Sequence, residues 1–279
     1  MLSYENFYSD LTQVAAVFEK EISENEIFMS FLPLSHALER TAAFYTPIYY
    51  GCIVAFSSDI RNVIADTKLV FPDVLNSVPR LYEKIHSGIL EQIRGYGIIK
   101  RSVVAACLKA GSLRIPSICE GVPLSGVKKL LVSVADKIVL SRIKNELGFS
   151  KVKIAISGGA ALSVNDMNFF LSLGINLYEG YGLTECAPIL TVNKPGKIKR
   201  GTVGCAMSET EIAISDEGEI LAKGDQIMMG YYKNPKATKE VFDKSGFFKT
   251  GDLGYLDKDG YLKITGRIKD IICLLYTSR

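Results

Sequence analysis

The octet Tyr178-Glu179-Gly180-Tyr181-Gly182-Leu183-Thr184-Glu185 follows the short apolar run Ile175–Tyr178, which is predicted to be a β-strand. Open α/β sheets bind ligands at the carboxyl ends of their strands, so this position favours a binding loop. Tyr181 can present its ring to a flat base, Thr184 can donate its hydroxyl to a phosphate, and Glu185 offers a carboxylate oxygen to Mg²⁺. A polar turn with a capping threonine would explain the same residues, so the octet alone leaves both interpretations open.

A second glycine-rich loop, Ser157-Gly158-Gly159-Ala160-Ala161, lies between the predicted strand Val152–Ile156 and the predicted helix Val164–Leu173. Glycines in a strand-to-helix turn allow close approaches that a Cβ would prevent, which suits a base or a phosphate lying on the main chain. A simple tight turn is the alternative interpretation. Because each loop follows a strand, we expect the two loops to share one edge of a sheet.

Strands and helices alternate around these loops. Apolar runs at Ile27–Leu32 and Cys52–Phe56 flank a helical pattern over residues 37–50. The alternation predicts an α/β sheet with helical crossovers. The segment 79–147 has a mostly helical pattern that is interrupted over 111–123, so we expect a helical excursion on the sheet.

The pattern changes from Gly201 onward. Two short β-rich runs, Glu211–Ile214 and Glu219–Lys223, are joined through Asp216-Glu217-Gly218, and Asp257-Lys258-Asp259-Gly260 is a second hairpin signal. A smaller β-rich subdomain is therefore predicted. The expected organisation is an α/β part over 1–200, the β-rich subdomain over 201–268 and a short tail over 269–279.

The third candidate loop is Phe248-Lys249-Thr250-Gly251-Asp252-Leu253, and Thr265-Gly266-Arg267-Ile268-Lys269-Asp270 follows it after a hairpin. The carboxylate of Asp252 could accept both hydroxyls of a ribose, and Arg267 could donate to ribose or phosphate oxygens. Taken singly, the two residues would be a turn former and a solvated charge. We expect all the loops to converge on one cleft, since each should leave a strand end of the same sheet system.

The composition is typical of a packed globular protein: 279 residues, of which 48% are hydrophobic and 23% charged. It excludes a disordered tail, a collagen-like repeat and a coiled-coil rod. The net charge is only +3 without long runs of one sign, so neither a nucleic-acid surface nor a polybasic membrane surface is expected. The apolar runs stop short of the ~20 residues that a membrane span needs.

Cysteine and histidine usage argues against a zinc site. The six cysteines form no CxxC pair, and the only histidines are His36 and His86. Reduced, mostly buried thiols in a reducing compartment are expected instead. We assign no role to His86.

Several stretches match motifs of the adenylate-forming synthetases, and the chain resembles that superfamily over residues 1–272. The matching stretches are Gly180–Glu185, Gly230–Pro235, Lys249–Asp252 and Gly266–Asp270. Within the superfamily, the chain is similar to the long-chain fatty acyl-CoA synthetases, through Phe31–His36, Val78–Lys84 and the long helical stretch that follows.

The resemblance implies a two-step ligation, in which a carboxylate attacks the α-phosphate of ATP to give acyl-AMP and CoA then displaces AMP. It implies nucleotide contacts for Gly158, Gly159, Ala160, Glu179, Gly180, Tyr181, Gly182, Thr184, Asp252 and Arg267. The 158–160 backbone and the Tyr181 ring would sandwich the adenine. Asp252 would hold the ribose, with Arg267 nearby.

The remaining implied roles concern catalysis and motion. Thr184 would contact the phosphate, Glu185 would bind Mg²⁺, and His36 would lie beside the acyl entrance and carboxylate. A histidine that only caps a helix or packs is the alternative for His36. Lys269 would be the pivot about which a small C-terminal domain swings between the two steps.

The resemblance also implies parts outside this chain: a phosphate loop before Met1 and a further domain, bearing a catalytic lysine, after the pivot. We therefore expect an internal piece of a synthetase that makes no acyl-CoA alone, with 273–279 non-native. Expected partners are fatty acid, ATP and CoA, without nucleic acid or a transmembrane span. The expected location is the cytoplasm, with peripheral contact at the inner face of a membrane as an addition.

Two alternatives stay open. One is a non-catalytic nucleotide- or acyl-binding remnant, which the joint presence of Thr184, Glu185, Asp252 and Arg267 disfavours. The other is activation of a different acid, an amino acid or aryl acid, or a luciferase-like oxidase. The helical segment 79–147 disfavours this second group.

Overall fold

The computed structural model describes residues 1–269; the predicted non-native stretch 273–279 lies outside the described residues. A seven-stranded sheet forms the larger part. Its strands are β1 (Ile27–Ser30), β2 (Ile53–Phe56), β3 (Val74–Ser77), β4 (Ile154–Ser157), β5 (Leu177–Gly182), β6 (Ile189–Val192) and β7 (Cys205–Ala206). They lie in the order β2-β1-β3-β4-β5-β6-β7. The first five strands in this order, β2, β1, β3, β4 and β5, pair in parallel, and β6 and β7 add antiparallel pairs.

Helices connect these strands, so the predicted α/β sheet with helical crossovers is confirmed. They are α1 (Tyr4–Phe18), α2 (Ala37–Glu39), α3 (Thr46–Tyr50), α4 (Val63–Val70), α5 (Pro79–Arg94), α6 (Ile98–Ser112), α7 (Ile115–Glu120), α8 (Gly126–Ala135), α9 (Ser141–Leu147), α10 (Val164–Ser172) and α11 (Pro235–Val241). A π-helical turn, Arg40–Tyr45, joins α2 to α3. Ser3 caps α1 because its hydroxyl accepts from the backbone N–H of Asn6 at 3.2 Å.

The strand β5 is longer than the sequence predicted. It continues through Gly182, so the first half of the octet is strand rather than loop, and Thr184–Cys186 then forms a single 3₁₀ turn. Glycine explains the extension: a Cβ at Gly180 would approach the carbonyl of Thr191, and one at Gly182 would collide with the carbonyl of Pro188. The glycines thus let β6 pair closely with β5.

Five helices, α5 to α9, lie between the parallel neighbours β3 and β4. The predicted interruption over 111–123 is seen as two shorter breaks, one of two residues (113–114) between α6 and α7 and one at 121–125 before α8. Tyr82 of α5 anchors the segment: its ring packs edge-to-face on Phe170 of α10 with centroids 5.2 Å apart, and its hydroxyl donates to the carbonyl of Ile156 at 3.0 Å.

The stretch Ile98–Glu120 has the length and composition of a membrane span and is the one such stretch within residues 1–269. It comprises α6 and α7 with a two-residue break, and α6 packs against α8 and α10. Arg114, in that break, is buried and pairs with Asp136 at 2.6 Å. The expectation that the apolar runs stop short of the length of a span is therefore wrong for this stretch, although α6 packs on two other helices and 33% of the most apolar window is buried.

The helices α6 and α8 together expose apolar and basic residues, which we call the α6–α8 surface. It consists of the exposed residues in the first turn of each helix, which point to several sides rather than to one: Ile98, Ile99, Lys100, Arg101, Val127, Lys128, Lys129 and Leu130. Neither helix contains an Asp or Glu. The sequence has no long run of like charge, but the fold places two basic pairs on adjacent helices.

The β-rich part is an antiparallel sheet of four strands, β8 (Glu211–Ile214), β9 (Glu219–Lys223), β10 (Phe248–Leu256) and β11 (Leu262–Arg267), in the order β11-β10-β9-β8. A second apolar cluster, with Ile220, Phe248 and Leu262 at its centre, packs this sheet against Tyr181 and Leu190. The expectation that Asp252 leaves a strand end of the same sheet system is wrong. Asp252 lies within β10 of this second sheet, opposite Arg267 of β11.

Candidate active site

One cavity of about 660 Å³ extends from the carboxyl ends of β4 and β5 to the face of the antiparallel sheet. It is lined by most of the predicted site residues: His36, Gly158, Gly159, Gly180, Tyr181, Gly182, Thr184, Glu185, Asp252, Arg267 and Lys269. Two predicted residues, Ala160 and Glu179, are not in its lining. The loops of two different sheets therefore converge on one cleft.

Tyr181 and Asp252 join the two sheets directly. The hydroxyl of Tyr181 donates to Oδ2 of Asp252 at 2.8 Å, and Nε of Arg267 forms an ion pair with Oδ1 at 3.0 Å. Both side chains of the first pair are buried, with Tyr181 8% and Asp252 4% exposed. Burial raises the pKa of Tyr181 well above its usual range. The carboxylate is thus held in place by one neutral hydrogen-bond donor and one cationic ion-pair partner.

The loop around Asp252 is fixed by its own hydrogen bonds. The hydroxyl of Thr250 donates to the carbonyl of Ile220 at 2.7 Å and accepts from the backbone N–H of Asp252 at 3.1 Å. The backbone N–H of Gly251, whose φ is +74°, donates to Glu219 at 2.9 Å. Glycine suits the left-handed backbone at this position, and the result is a carboxylate aimed into the cleft.

Tyr231 is a site residue that the sequence analysis missed. Its hydroxyl donates to Oε1 of Glu185 at 3.0 Å, and it lines the cavity. The Gly230–Pro235 stretch was quoted for its resemblance, but no spacing in the sequence links Tyr231 to Glu185 across 46 residues. The contact orients the carboxylate of Glu185 while leaving its second oxygen available.

His36 combines the two interpretations given to it. It is the N-cap of α2, where its Nδ1 accepts from the backbone N–H of Leu38 at 3.3 Å, and it also lines the cavity. His36 is exposed at the start of α2, so it is not buried in the cavity wall. Lys269, likewise exposed, lines the cavity at the last described residue.

Glu179 lies beside the cavity rather than in its wall. The side chain is 3% exposed, and its Oε1 accepts from the backbone N–H of Leu162 at 2.9 Å. Its Oε2 has no hydrogen-bond partner within the described residues. Burial raises the pKa of Glu179 to about 7, although the hydrogen bond from Leu162 opposes the shift. Glu179 therefore holds the end of the loop that leads to α10.

The cavity also has an apolar arm, defined by Val14, Phe18, Ile22, Phe28, Val74 and Ile154. The first three belong to the region of α1, and the others lie on strands of the large sheet. The acidic and basic lining residues, such as Glu185 and Arg267, belong to the polar end. One continuous space thus joins a polar end, built by both sheets, to a hydrocarbon-lined arm.

The sequence profile described as AMP-binding enzyme matches residues 1–232 of the chain. The chain belongs to the AMP-binding enzyme family. A long-chain-fatty-acid–CoA ligase of Mycobacterium bovis, FadD15, is 32% identical over 274 residues, which are 97% of this chain and 44% of that protein. The long-chain-fatty-acid–CoA ligase ACSBG1 of Rattus norvegicus is 33% identical over 257 residues, 89% of this chain and 35% of that protein. The chain therefore spans less than half the length of these relatives.

Among solved structures, the o-succinylbenzoate coenzyme A synthetase of Bacillus subtilis in complex with AMP has a TM-score of 0.65 at 19% identity. The alignment covers 97% of this chain and 46% of that one. At this identity the likeness shows the fold alone.

Within residues 1–269, the side chains near the cavity suit Mg²⁺ as a single carboxylate ligand rather than as a cluster of ligands. Residues 1–269 contain no group of three or more His, Cys, Asp or Glu side chains that could hold a metal ion. Mg²⁺ is commonly held by one or two carboxylates together with substrate phosphates and water. Glu185, anchored by Tyr231 through one oxygen, fits that mode as a single protein ligand.

Proposed function

We propose that the protein carrying this chain activates a long-chain fatty acid with ATP and transfers it to CoA. A carboxylate oxygen attacks the α-phosphorus of ATP, the bond to the pyrophosphate breaks, and acyl-AMP forms. The CoA sulfur then attacks the acyl carbon, the bond to AMP breaks, and the thiol proton is released. The supporting observation is the single cavity that joins the polar end to the apolar arm.

The polar end suits a nucleotide. We propose that the adenine lies between the backbone at Gly158–Gly159 and the Tyr181 ring, and that Asp252 accepts hydrogen bonds from the ribose hydroxyls. Each carboxylate oxygen has two lone pairs, so Oδ2 can accept from ribose while keeping its bond from Tyr181. Arg267 neutralises the buried carboxylate in the free protein. Thr184, exposed at the cleft, would donate its hydroxyl to phosphate.

The apolar arm favours a fatty acid over the alternative acids. An amino-acid substrate needs a carboxylate to pair with its ammonium group, and the acidic residues that line the cavity, Glu185, Glu219, Glu240 and Asp252, are not among the six that define the arm. The two relatives named above carry long-chain fatty-acid names, which agrees with the apolar lining.

We also propose peripheral contact with an anionic membrane through the α6–α8 surface. Its apolar residues are open to solvent, with Ile99 83% and Val127 72% exposed, and its basic pairs carry no acidic counterpart on either helix. Apolar side chains interleaved with Lys and Arg are typical of helices that lie in a membrane interface. Such contact would bring the enzyme to a lipid-soluble substrate.

Calorimetric titration of the chain with AMP tests the nucleotide site. Asp252→Ala should weaken AMP binding by roughly ten-fold or more, because a charged hydrogen-bond acceptor is lost. Asp216→Ala, a matched change at an exposed turn, should leave binding unchanged. Equal affinity of all three proteins would contradict the proposed site.

Fatty-acid-dependent ATP–pyrophosphate exchange tests the reaction in the whole protein that carries this chain. Exchange that depends on palmitate supports activation of a fatty acid. AMP binding without exchange under any acid would instead support the non-catalytic remnant. Exchange driven only by an aryl acid or an amino acid would assign a different substrate to the same cleft.

A further inference from the structure

The cavity wall contains a buried amide, Asn76 of β3. It is 1% exposed and lies opposite Ile156 of β4 in the register of the sheet. Both residues line the cavity, as does Val74, which precedes Asn76 by two positions on the same face of the strand. The amide is thus set between aliphatic side chains at the junction of the polar end and the apolar arm.

The orientation of this amide is determined by its neighbour. Its Nδ2 donates to the carbonyl of Ala42 at 2.9 Å, and Ala42 lies in the π-helical turn Arg40–Tyr45. The reverse orientation would place the amide oxygen of Asn76 against that carbonyl oxygen, which is repulsive. Oδ1 therefore faces away from the turn, and it has no hydrogen-bond partner among residues 1–269.

The lining threonine nearest in sequence to Ala42 does not supply a donor to that oxygen. Thr46 also lines the cavity, but its hydroxyl donates to the carbonyl of Thr41 at 2.8 Å. Buried polar groups are nearly always paired, and an unpaired acceptor in an apolar setting is costly. Unusual helical turns of the π type occur often at functional sites. An acceptor left free at such a turn points to a ligand that brings the donor.

We propose that Oδ1 of Asn76 accepts a hydrogen bond from a hydroxyl group on the acyl chain, so that the site prefers a hydroxylated fatty acid. This inference rests on the proposed function. The donor must be uncharged, because an ammonium in this apolar surrounding would lack a carboxylate partner. A keto group or a second carboxylate would present an acceptor to an acceptor and is disfavoured.

The position of Asn76 also limits where the hydroxyl can be. The backbone N–H of Gly158 donates to the carbonyl of Ser77, the residue after Asn76, and Ile156 lies two residues before Gly158. With a strand rise of about 3.3 Å per residue, Asn76 lies roughly 7 Å below the glycine loop. A hydroxyl in one region of the acyl chain will reach Oδ1, and hydroxyls nearer to or farther from the carboxyl group of the fatty acid will not.

The test is calorimetric binding of palmitic acid and a positional series of monohydroxypalmitic acids to the wild-type chain. We expect the isomers whose hydroxyl lies in one region of the acyl chain to bind roughly ten-fold tighter than the other isomers, since Oδ1 of Asn76 then becomes paired. Asn76→Leu should abolish this preference, leaving the isomers alike. The control Ile156→Val, at the same depth, should weaken all acids equally and keep the preference.

The outcomes separate the two claims. Tight binding of palmitic acid with no isomer preferred in the wild-type chain would overturn the role of Asn76 while leaving the proposed function in place. A preference that persists in Asn76→Leu would also overturn it. Because the wild-type series is informative by itself, instability of the leucine variant does not protect the inference. Binding of no fatty acid at all would contradict both.

Discussion

Replacing Glu179 by Gln should change the pH dependence of stability. The carboxyl group is 3% exposed, one oxygen accepts from Leu162, and the other has no partner in the described part of the chain. Burial raises its pKa from 4.5 to about 7. A glutamine keeps the bond from Leu162 through its carbonyl oxygen and removes the charge that burial disfavours.

The magnitude follows from the pKa difference. Below pH 4.5 the carboxyl is protonated in the folded and unfolded states, so its ionisation costs nothing. Between pH 4.5 and about 7 the unfolded chain loses the proton while the folded protein retains it, and the free energy of unfolding falls as pH rises. Above pH 7 the full penalty, about 3 kcal/mol at 1.36 kcal/mol per pKa unit, is present.

Urea unfolding from pH 4 to pH 8, followed by circular dichroism, measures this penalty. Burial also raises the pKa of Asp10 and of Glu39, so the wild-type slope will persist in part. The difference between Glu179→Gln and wild type isolates Glu179: we expect it to grow by about 3 kcal/mol in favour of the variant across the range. Glu217→Gln, at an exposed turn, should show no such trend. A difference that is independent of pH would refute the assigned pKa.

Four further predictions concern the site and the surface. Glu185→Gln should weaken binding of Mg·ATP by roughly ten-fold while leaving metal-free AMP unaffected, in parallel titrations; an equal loss for both ligands would argue against a metal role. Tyr181→Phe should lower the free energy of unfolding by about 1–3 kcal/mol in urea, because Oδ2 of the buried aspartate loses its donor, and an unchanged value would contradict that bond. Lys269→Pro in the whole protein should slow thioester formation more than pyrophosphate exchange, since a restricted φ hinders a swing but not the first reaction; equal slowing would remove the pivot role. Lys128→Glu combined with Lys129→Glu should abolish co-sedimentation with vesicles containing phosphatidylserine, and wild-type binding that is equal for purely phosphatidylcholine vesicles would count against the charge term.

The sequence predicted the fold well where local chemistry determines it. The strands Glu211–Ile214 and Glu219–Lys223 were predicted with their observed bounds, because a turn-forming Asp-Glu-Gly separates two short β-rich runs. The cap at Ser3 was also predicted, since the Ser3 hydroxyl and the backbone N–H of Asn6, from which it accepts, are only three residues apart. Alternation of strand and helix sufficed for the α/β architecture.

What the sequence did not predict depends on contacts between distant segments. Asp252 was assigned to the wrong sheet because nothing local distinguishes a strand of a second sheet from a strand end of the first. The extension of β5 through Gly182 requires the close neighbour β6, which no pattern within the octet reveals. Tyr231 was missed for the same reason, since its contact with Glu185 exists only after folding.

The glycine at position 182 shows which parts of a motif carry information about chemistry. It is needed because the carbonyl of Pro188 occupies the space that a Cβ would take, whatever the cleft binds. A lineage that abandoned the reaction would therefore still retain Gly182, as long as it retained the fold. Thr184 is exposed and has no such contact within residues 1–269, so the described structure does not require a threonine there, and its retention would depend on the proposed contact with phosphate. Among divergent copies of this chain, substitution at 184 with glycine kept at 182 would mark the members that have become binding proteins.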